Sequence, residues 1–174
     1  DRVRLSLFAD GETARLKARR GRGQIFSVLD FLAAAPLGGP TALRRAVDEL
    51  SRHVTARGLV VVVSDFLDAG GFEDGLGRLH YAGHEVWAFQ LESPEDVAPP
   101  WQGEVTLTDA ETGGEARLRI TPEAVARYQE RRRAFLERLD RWTGERGIAR
   151  LHAVTDVPVD QLVLDVFRRG GFLR

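Results

Sequence analysis

Gly58-Leu59-Val60-Val61-Val62-Val63-Ser64-Asp65-Phe66 is the stretch on which the fold turns: four consecutive valines that run into an aspartate. β-Branched side chains lose rotamer freedom in helices and fit extended backbone, so the run reads as a strand. It lacks the polar/apolar alternation of a half-solvated strand. An uninterrupted apolar run suits a strand covered on both faces, as in a parallel α/β sheet. Ligands in such sheets gather at the carboxyl ends of the strands. Asp65 stands at that end, with Ser64 before it.

Working outward, the segment after the valines predicts a helix from about Phe72 to Ala82, with Phe72, Leu76 and Leu79 inward and Gly83 closing it. His84 to Leu91 reads as the next strand. Strand, helix and strand in about thirty residues make a βαβ unit. Upstream of the valines, Leu43, Ala46, Val47, Leu50 and Val54 line one face of a helix that Thr41 is placed to cap. Before the break at Pro36-Leu37-Gly38-Gly39-Pro40, Ile25, Val28, Leu29 and Leu32 recur at helical spacing. Residues 2–9 alternate as a strand, Asp10-Gly11 marks a turn, and Thr13 to Ala18 returns as an antiparallel edge strand. Arg19-Arg20-Gly21-Arg22-Gly23 reads as a basic loop.

Downstream, Pro94, Pro99 and Pro100 mark a long loop. Val105–Thr108 and Ala116–Ile120 flank the acidic turn from Asp109 to Glu115, a hairpin inserted into the α/β pattern. Thr121-Pro122-Glu123 opens a long helix to about Glu145, with Val125, Tyr128, Phe135, Leu139 and Trp142 inward. Ala149–Thr155 is the last strand, and a final helix is expected from Pro158 to about Arg168.

At 174 residues and 43% hydrophobic, the chain can bury one substantial core, and a single domain over residues 1–174 is expected. With 25 basic against 26 acidic residues it has no general affinity for polyanions. Lys17 is its single lysine, which removes nearly every lysine-based catalytic scheme. Cysteine is absent, which excludes disulfides, thiol nucleophiles and thiolate metal sites. No G-x-x-x-x-G-K-[ST] and no G-x-G-x-x-G after a strand occurs, so nucleotide is not an expected ligand; with charge nearly balanced, nucleic acid is not expected either. The four histidines, His53, His80, His84 and His152, lack ligand-type spacing and read as ordinary core or surface residues. Arg131-Arg132-Arg133, with Glu130 and Glu137, reads as a solvated helix face. No apolar stretch reaches the roughly 18 residues needed to span a bilayer, and a cytoplasmic location is expected. The chain opens directly on strand-like alternation without a methionine, and so reads as an excerpt of a longer protein.

The order of Val62-Val63-Ser64-Asp65-Phe66-Leu67, Gly83-His84-Glu85-Val86, Leu107-Thr108-Asp109-Ala110-Glu111-Thr112-Gly113 and Val154-Thr155-Asp156 resembles the bacterial family called domain of unknown function fifty-eight. Proteins of that family look like von Willebrand factor A domains and are commonly encoded beside MoxR-type AAA+ ATPases. The resemblance implies a three-layer α/β sandwich with a mostly parallel sheet, an antiparallel edge strand and an inserted hairpin. It also implies a metal-ion-dependent adhesion-type site, with Thr41 on its second loop and Asp65 on its third. The first loop, Asp-x-Ser-x-Ser, has no counterpart here, so the chain looks like the family domain without its opening strand and helix. Mg²⁺ or Mn²⁺ is then expected in the longer parent and not in this chain alone.

The function expected is a non-enzymatic protein-interaction module, with a MoxR-type ATPase as the implied partner. Ser64, Asp109 and Glu111 are further binding candidates at the rim, and Glu115 is a third acid on the hairpin. The bland readings are helix capping for Thr41, loop closure for Asp65 and a solvated turn for the hairpin acids. The rival function is Mg²⁺-dependent phosphoryl transfer or hydrolysis using Asp65.

Overall fold

The computed structural model describes residues 3–19, 24–35, 38–109, 111–158 and 161. In chain order the elements are β1 (Val3–Ala9), β2 (Gly11–Arg19), α1 (Gln24–Ala33), α2 (Leu43–Ser51), β3 (Leu59–Ser64), α3 (Glu73–Tyr81), β4 (Glu85–Glu92), α4 (Pro94–Val97), β5 (Gly103–Thr108), β6 (Glu115–Ile120), α5 (Pro122–Gly144) and β7 (Ala149–Val154). The expected final helix and most of the basic loop fall outside the described residues.

The valine strand forms β3, and the βαβ unit is present: β3 pairs with β4 in parallel, from Leu59↔Glu85 to Ser64↔Gln90. β4 pairs in turn with β7, also in parallel. The strand order is β3-β4-β7, so β3 is an edge strand among the described residues. β1 with β2, and β5 with β6, form separate antiparallel pairs. The first hairpin was expected as the edge of the main sheet. No ladder joins it to that sheet among the described residues.

One face of the parallel sheet carries the core. Val62, Val86 and Ala88 meet Leu43 and Val47 from α2, Leu76 and Leu79 from α3, and Leu139 from α5. Phe72 is fully buried at the centre, with its ring edge-on to Phe66, Phe135 and Trp142 at centroid distances of 6.4, 6.1 and 5.7 Å. Each such aromatic pair adds about 1 kcal/mol beyond its buried area. Gly75 permits the close approach of α3 to α2, since a Cβ there would sit 2.6 Å from Leu43 Cγ.

The other face of β3 is different. Leu59, Val61 and Val63 are 52%, 49% and 47% exposed, against 7% for Val62. The expectation of a strand covered on both faces is therefore corrected. The physical reason is that α2, α3 and α5 all send their core side chains to the same face, and among the described residues no helix packs over Val61 and Val63. The described fold is a mixed α/β arrangement with a three-stranded parallel sheet and antiparallel pairs.

The ends of the long helix follow the sequence cues. Thr121 Oγ1 accepts from Ala124 N at 3.3 Å, and Pro122 takes the first turn, where its missing N–H costs nothing. The proline-marked loop contains one short helix the sequence reading left out, α4, closed by a reciprocal Ser93–Asp96 capping box.

Candidate functional site

Three loops separated in sequence meet at the carboxyl end of β3. The first follows the valine strand. Phe66 has φ of 61°, a left-handed conformation that costs a bulky residue about 1–2 kcal/mol. Burial of its ring, only 2% exposed, offsets that cost. The reversal turns Phe66 into the core and leaves Asp65 and Leu67 facing solvent. The Asp65 carboxylate accepts from Leu67 N at 3.0 Å and from the Ser64 hydroxyl at 3.4 Å. Ser64 Oγ also accepts from Phe66 N at 3.0 Å. Asp65 thus closes its own loop, as the plainer reading expected, while remaining open to water.

The second loop leads into α2. Thr41 does not cap that helix. Its cap position is Ala42, which has no side chain able to accept, and the acceptor comes from elsewhere: Asp68 Oδ2 takes the Leu43 amide at 2.7 Å. Asp68 Oδ1 also holds Gly70 N at 2.8 Å. The loop after β3 therefore caps the helix before β3, fastening the two loops together. Sequence reasoning missed Asp68; its signal was the Asp68-Ala69-Gly70-Gly71 turn, three residues beyond the aspartate chosen.

The third segment is the hairpin tip. Glu111 spans 70 positions to Thr41, accepting from its hydroxyl at 2.5 Å and from its amide at 3.2 Å. Asp109 shapes the tip, accepting from Glu111 N at 2.8 Å and Thr112 N at 3.1 Å. Hydrogen bonds from the Thr112 and Glu111 amides hold its carboxyl below the usual aspartate value. Gly113, at φ 72°, supplies the left-handed residue of the turn. Glu115 points to solvent from the start of β6. Of the residues singled out in the sequence, Thr41 joins Glu111 and Ser64 joins Asp65. No hydrogen bond links Thr41 to Asp65 among the described residues.

An open groove of about 730 Å³ runs beside these loops, lined by Thr41, Arg44, Arg45, Asp48, Asp68 and Asp74 among others. Its arginines are partly engaged: Arg44 pairs with Asp74 at 3.5 Å and Arg45 with Asp10 at 2.8 Å. These pairs are exposed and contribute little to stability.

A divalent cation such as Mg²⁺ needs about six oxygen ligands in tight geometry. Here the Thr41 hydroxyl is committed to Glu111 and the Asp65 carboxylate to Leu67 and Ser64. Among the described residues no group of three or more His, Cys, Asp or Glu side chains is placed to hold a metal. The residues present do not by themselves fit a complete cation site.

A second polar cluster lies at the carboxyl ends of β4 and β7. Glu92, 8% exposed, accepts from Arg132 Nε and Nη2 at 2.8 and 2.7 Å, and lies 2.6 Å from His152 Nε2. Burial alone would raise its pKa. The hydrogen bonds and charges of Arg132 and His152 outweigh that and hold it below the ordinary glutamate value. Arg132 and His152, read from sequence as solvated or incidental, are thus structural partners. Strand parity was the available signal, because Val86, Ala88, Gln90 and Glu92 share one face of β4.

This is an α/β protein with a polar rim at the carboxyl end of its parallel strands and no membrane-crossing helix among the described residues. It belongs to the family described as protein of unknown function DUF58, whose profile matches residues 1–137. It is 40% identical over 102 residues to an uncharacterized protein of Mycobacterium avium, covering 57% of this chain and 60% of that protein. An uncharacterized protein of Mycobacterium tuberculosis strain H37Rv is 37% identical over 121 residues, covering 67% of this chain and 38% of that protein. The chain thus spans less than two thirds of these curated relatives. The crystal structure of conserved hypothetical protein BatB from Bacteroides thetaiotaomicron shares its fold, with a TM-score of 0.54 at 13% identity over 99% of this chain and 80% of that one.

Proposed function

We propose that this protein is a non-enzymatic interaction module whose rim, formed by Asp65, Asp68, Thr41 and Glu111, receives a partner protein. The observation that carries this reading is the bond from Thr41 to Glu111, with Asp68 reaching Leu43. Together they hold three distant loops in one surface while Asp65 stays solvent-facing. Loops fixed on a rigid scaffold are where recognition residues concentrate. The resemblance to von Willebrand A domains sharpens the proposal. Asp65 and Thr41 would belong to an adhesion-type Mg²⁺ or Mn²⁺ site whose other ligands lie on polypeptide outside residues 1–174. The partner would be a MoxR-type AAA+ ATPase.

The test is calorimetric binding of a purified MoxR-type ATPase from the same genome to the longer protein, with and without Mg²⁺. Binding should weaken at least about tenfold in D65N or when Mg²⁺ is chelated, a loss of about 1.4 kcal/mol. Binding that ignores both changes removes the rim from the interaction. Mg²⁺-dependent hydrolysis of p-nitrophenyl phosphate that D65N abolishes would replace this reading with the phosphoryl-transfer one.

A further inference from the structure

The hairpin of β5 and β6 is fastened to the rest of the molecule by very little. Among the described residues its strands pair only with each other, and in both strands every residue but Val105 and Ile120 is exposed. Leu107 and Leu118 share one face of the hairpin and are 37% and 46% exposed, so that face is not pressed into the core. A two-stranded hairpin is marginally stable by itself in water. Between Gly103 and Ile120, the described residues make hydrogen bonds or ion pairs to the rest of the chain through Glu111 alone. Its carboxylate takes both the hydroxyl and the amide of Thr41, at 2.5 and 3.2 Å. Asp109 sets the shape of that tip by holding the Glu111 and Thr112 amides. At the root of the hairpin, Gly103 has φ of 78° and open space where a Cβ would stand. One charged contact at the tip therefore decides where the hairpin rests.

We infer that the hairpin tip is an autoinhibitory latch: Glu111 occupies Thr41 in the resting protein, and an arriving partner must displace it. A threonine hydroxyl carries a single proton, and its backbone amide another. While Glu111 accepts both, Thr41 has no donor left for anything else. The same residue lines the groove that Arg44 and Arg45 border, so release of the tip opens that side of the groove together with two donors. Glu111 is tethered, and a tethered group competes at an effective concentration of about millimolar. A partner then meets Thr41 only in the fraction of molecules whose latch is open, and its apparent affinity falls by that fraction. The inference rests on the rim reading and adds the regulation of that rim. Glu115, an exposed acid on the same hairpin, forms no ion pair or side-chain hydrogen bond among the described residues and has no part in the latch.

Two measurements on the full-length protein test it: amide hydrogen exchange without a partner, and the calorimetric titration of the MoxR-type ATPase. E111A should raise exchange at least about threefold in residues 38–43 and in β5 and β6, and leave β4 unchanged. It should also tighten ATPase binding at least about fivefold. E115A removes an acid from the same hairpin without touching the latch, and should do neither. Unchanged or weaker binding by E111A overturns the inference. So does exchange that ignores E111A, or an equal gain in E115A, which would make the effect one of net charge. The rim reading fails on a different result: binding by the parent protein that D65N leaves untouched.

Discussion

Asp65 and Glu92 stand at the carboxyl ends of neighbouring parallel strands, and the fold treats them in opposite ways. Asp65 follows β3, faces water and is held by its own loop. Glu92 ends β4 on the core-facing side, where Arg132 bridges to it from α5 and His152 from β7. The register pairs Ser64 with Gln90, so Glu92 continues the core-facing parity of its strand and Asp65 the outward parity of Val61 and Val63. One carboxylate is therefore left facing water and the other is consumed in holding a helix to the sheet. What separates them is strand parity, together with which elements cover each face.

The sharpest way to break this comparison is to remove Glu92. E92A strands the Arg132 guanidinium, itself largely buried, and should cost about 3 kcal/mol in urea denaturation. A loss near zero would make Glu92 as dispensable as a surface acid. Acid titration sharpens the same point. The folded pKa of Glu92 lies below its unfolded value near 4.5, so its contribution is fully present above that value. It is lost as the pH falls through the folded pKa. E92Q should flatten the fall in stability below about pH 4.5, measured by urea midpoints across the acid range.

At the other strand end the effects shrink. D68A removes the acceptor that caps α2 and should cost about 1 kcal/mol, whereas T41A should cost less because Thr41 is not the cap residue. Reversal of that order would restore Thr41 to the capping role. D65N should leave the thermal stability of the 174-residue chain within about 0.5 kcal/mol of the parent, as for a surface change. A larger loss would mean that Asp65 is fastening the fold rather than facing a partner.

Much of the path to this picture was legible. The valine run, the strand at 85–92 and the helix between them announced a βαβ unit through β-branching and a glycine stop. The hairpin with its acidic tip was legible from turn chemistry, and Thr121-Pro122-Glu123 marked the start of α5. The rim is legible in part: residue type and position single out Thr41, Asp65 and Glu111, but not the bond that joins Thr41 to Glu111 across 70 positions. Asp68 was overlooked because an aspartate before Ala69-Gly70-Gly71 reads as a local turn residue, and its capping of α2 is a contact across 25 positions. The Glu92 cluster was overlooked because its members are 40 and 60 positions apart, and no local spacing registers such pairs.

The sequence by itself determined the elements and their order, because strand and helix preferences, caps and turns are written in neighbouring residues. It also determined which face of each element is apolar. Only the tertiary structure decided which of those faces is covered. Val61 and Val62 are the same residue side by side, and one is buried while the other is half exposed. That difference comes from which side α2, α3 and α5 settle on, a choice made by packing between distant segments and invisible in any short window of the chain.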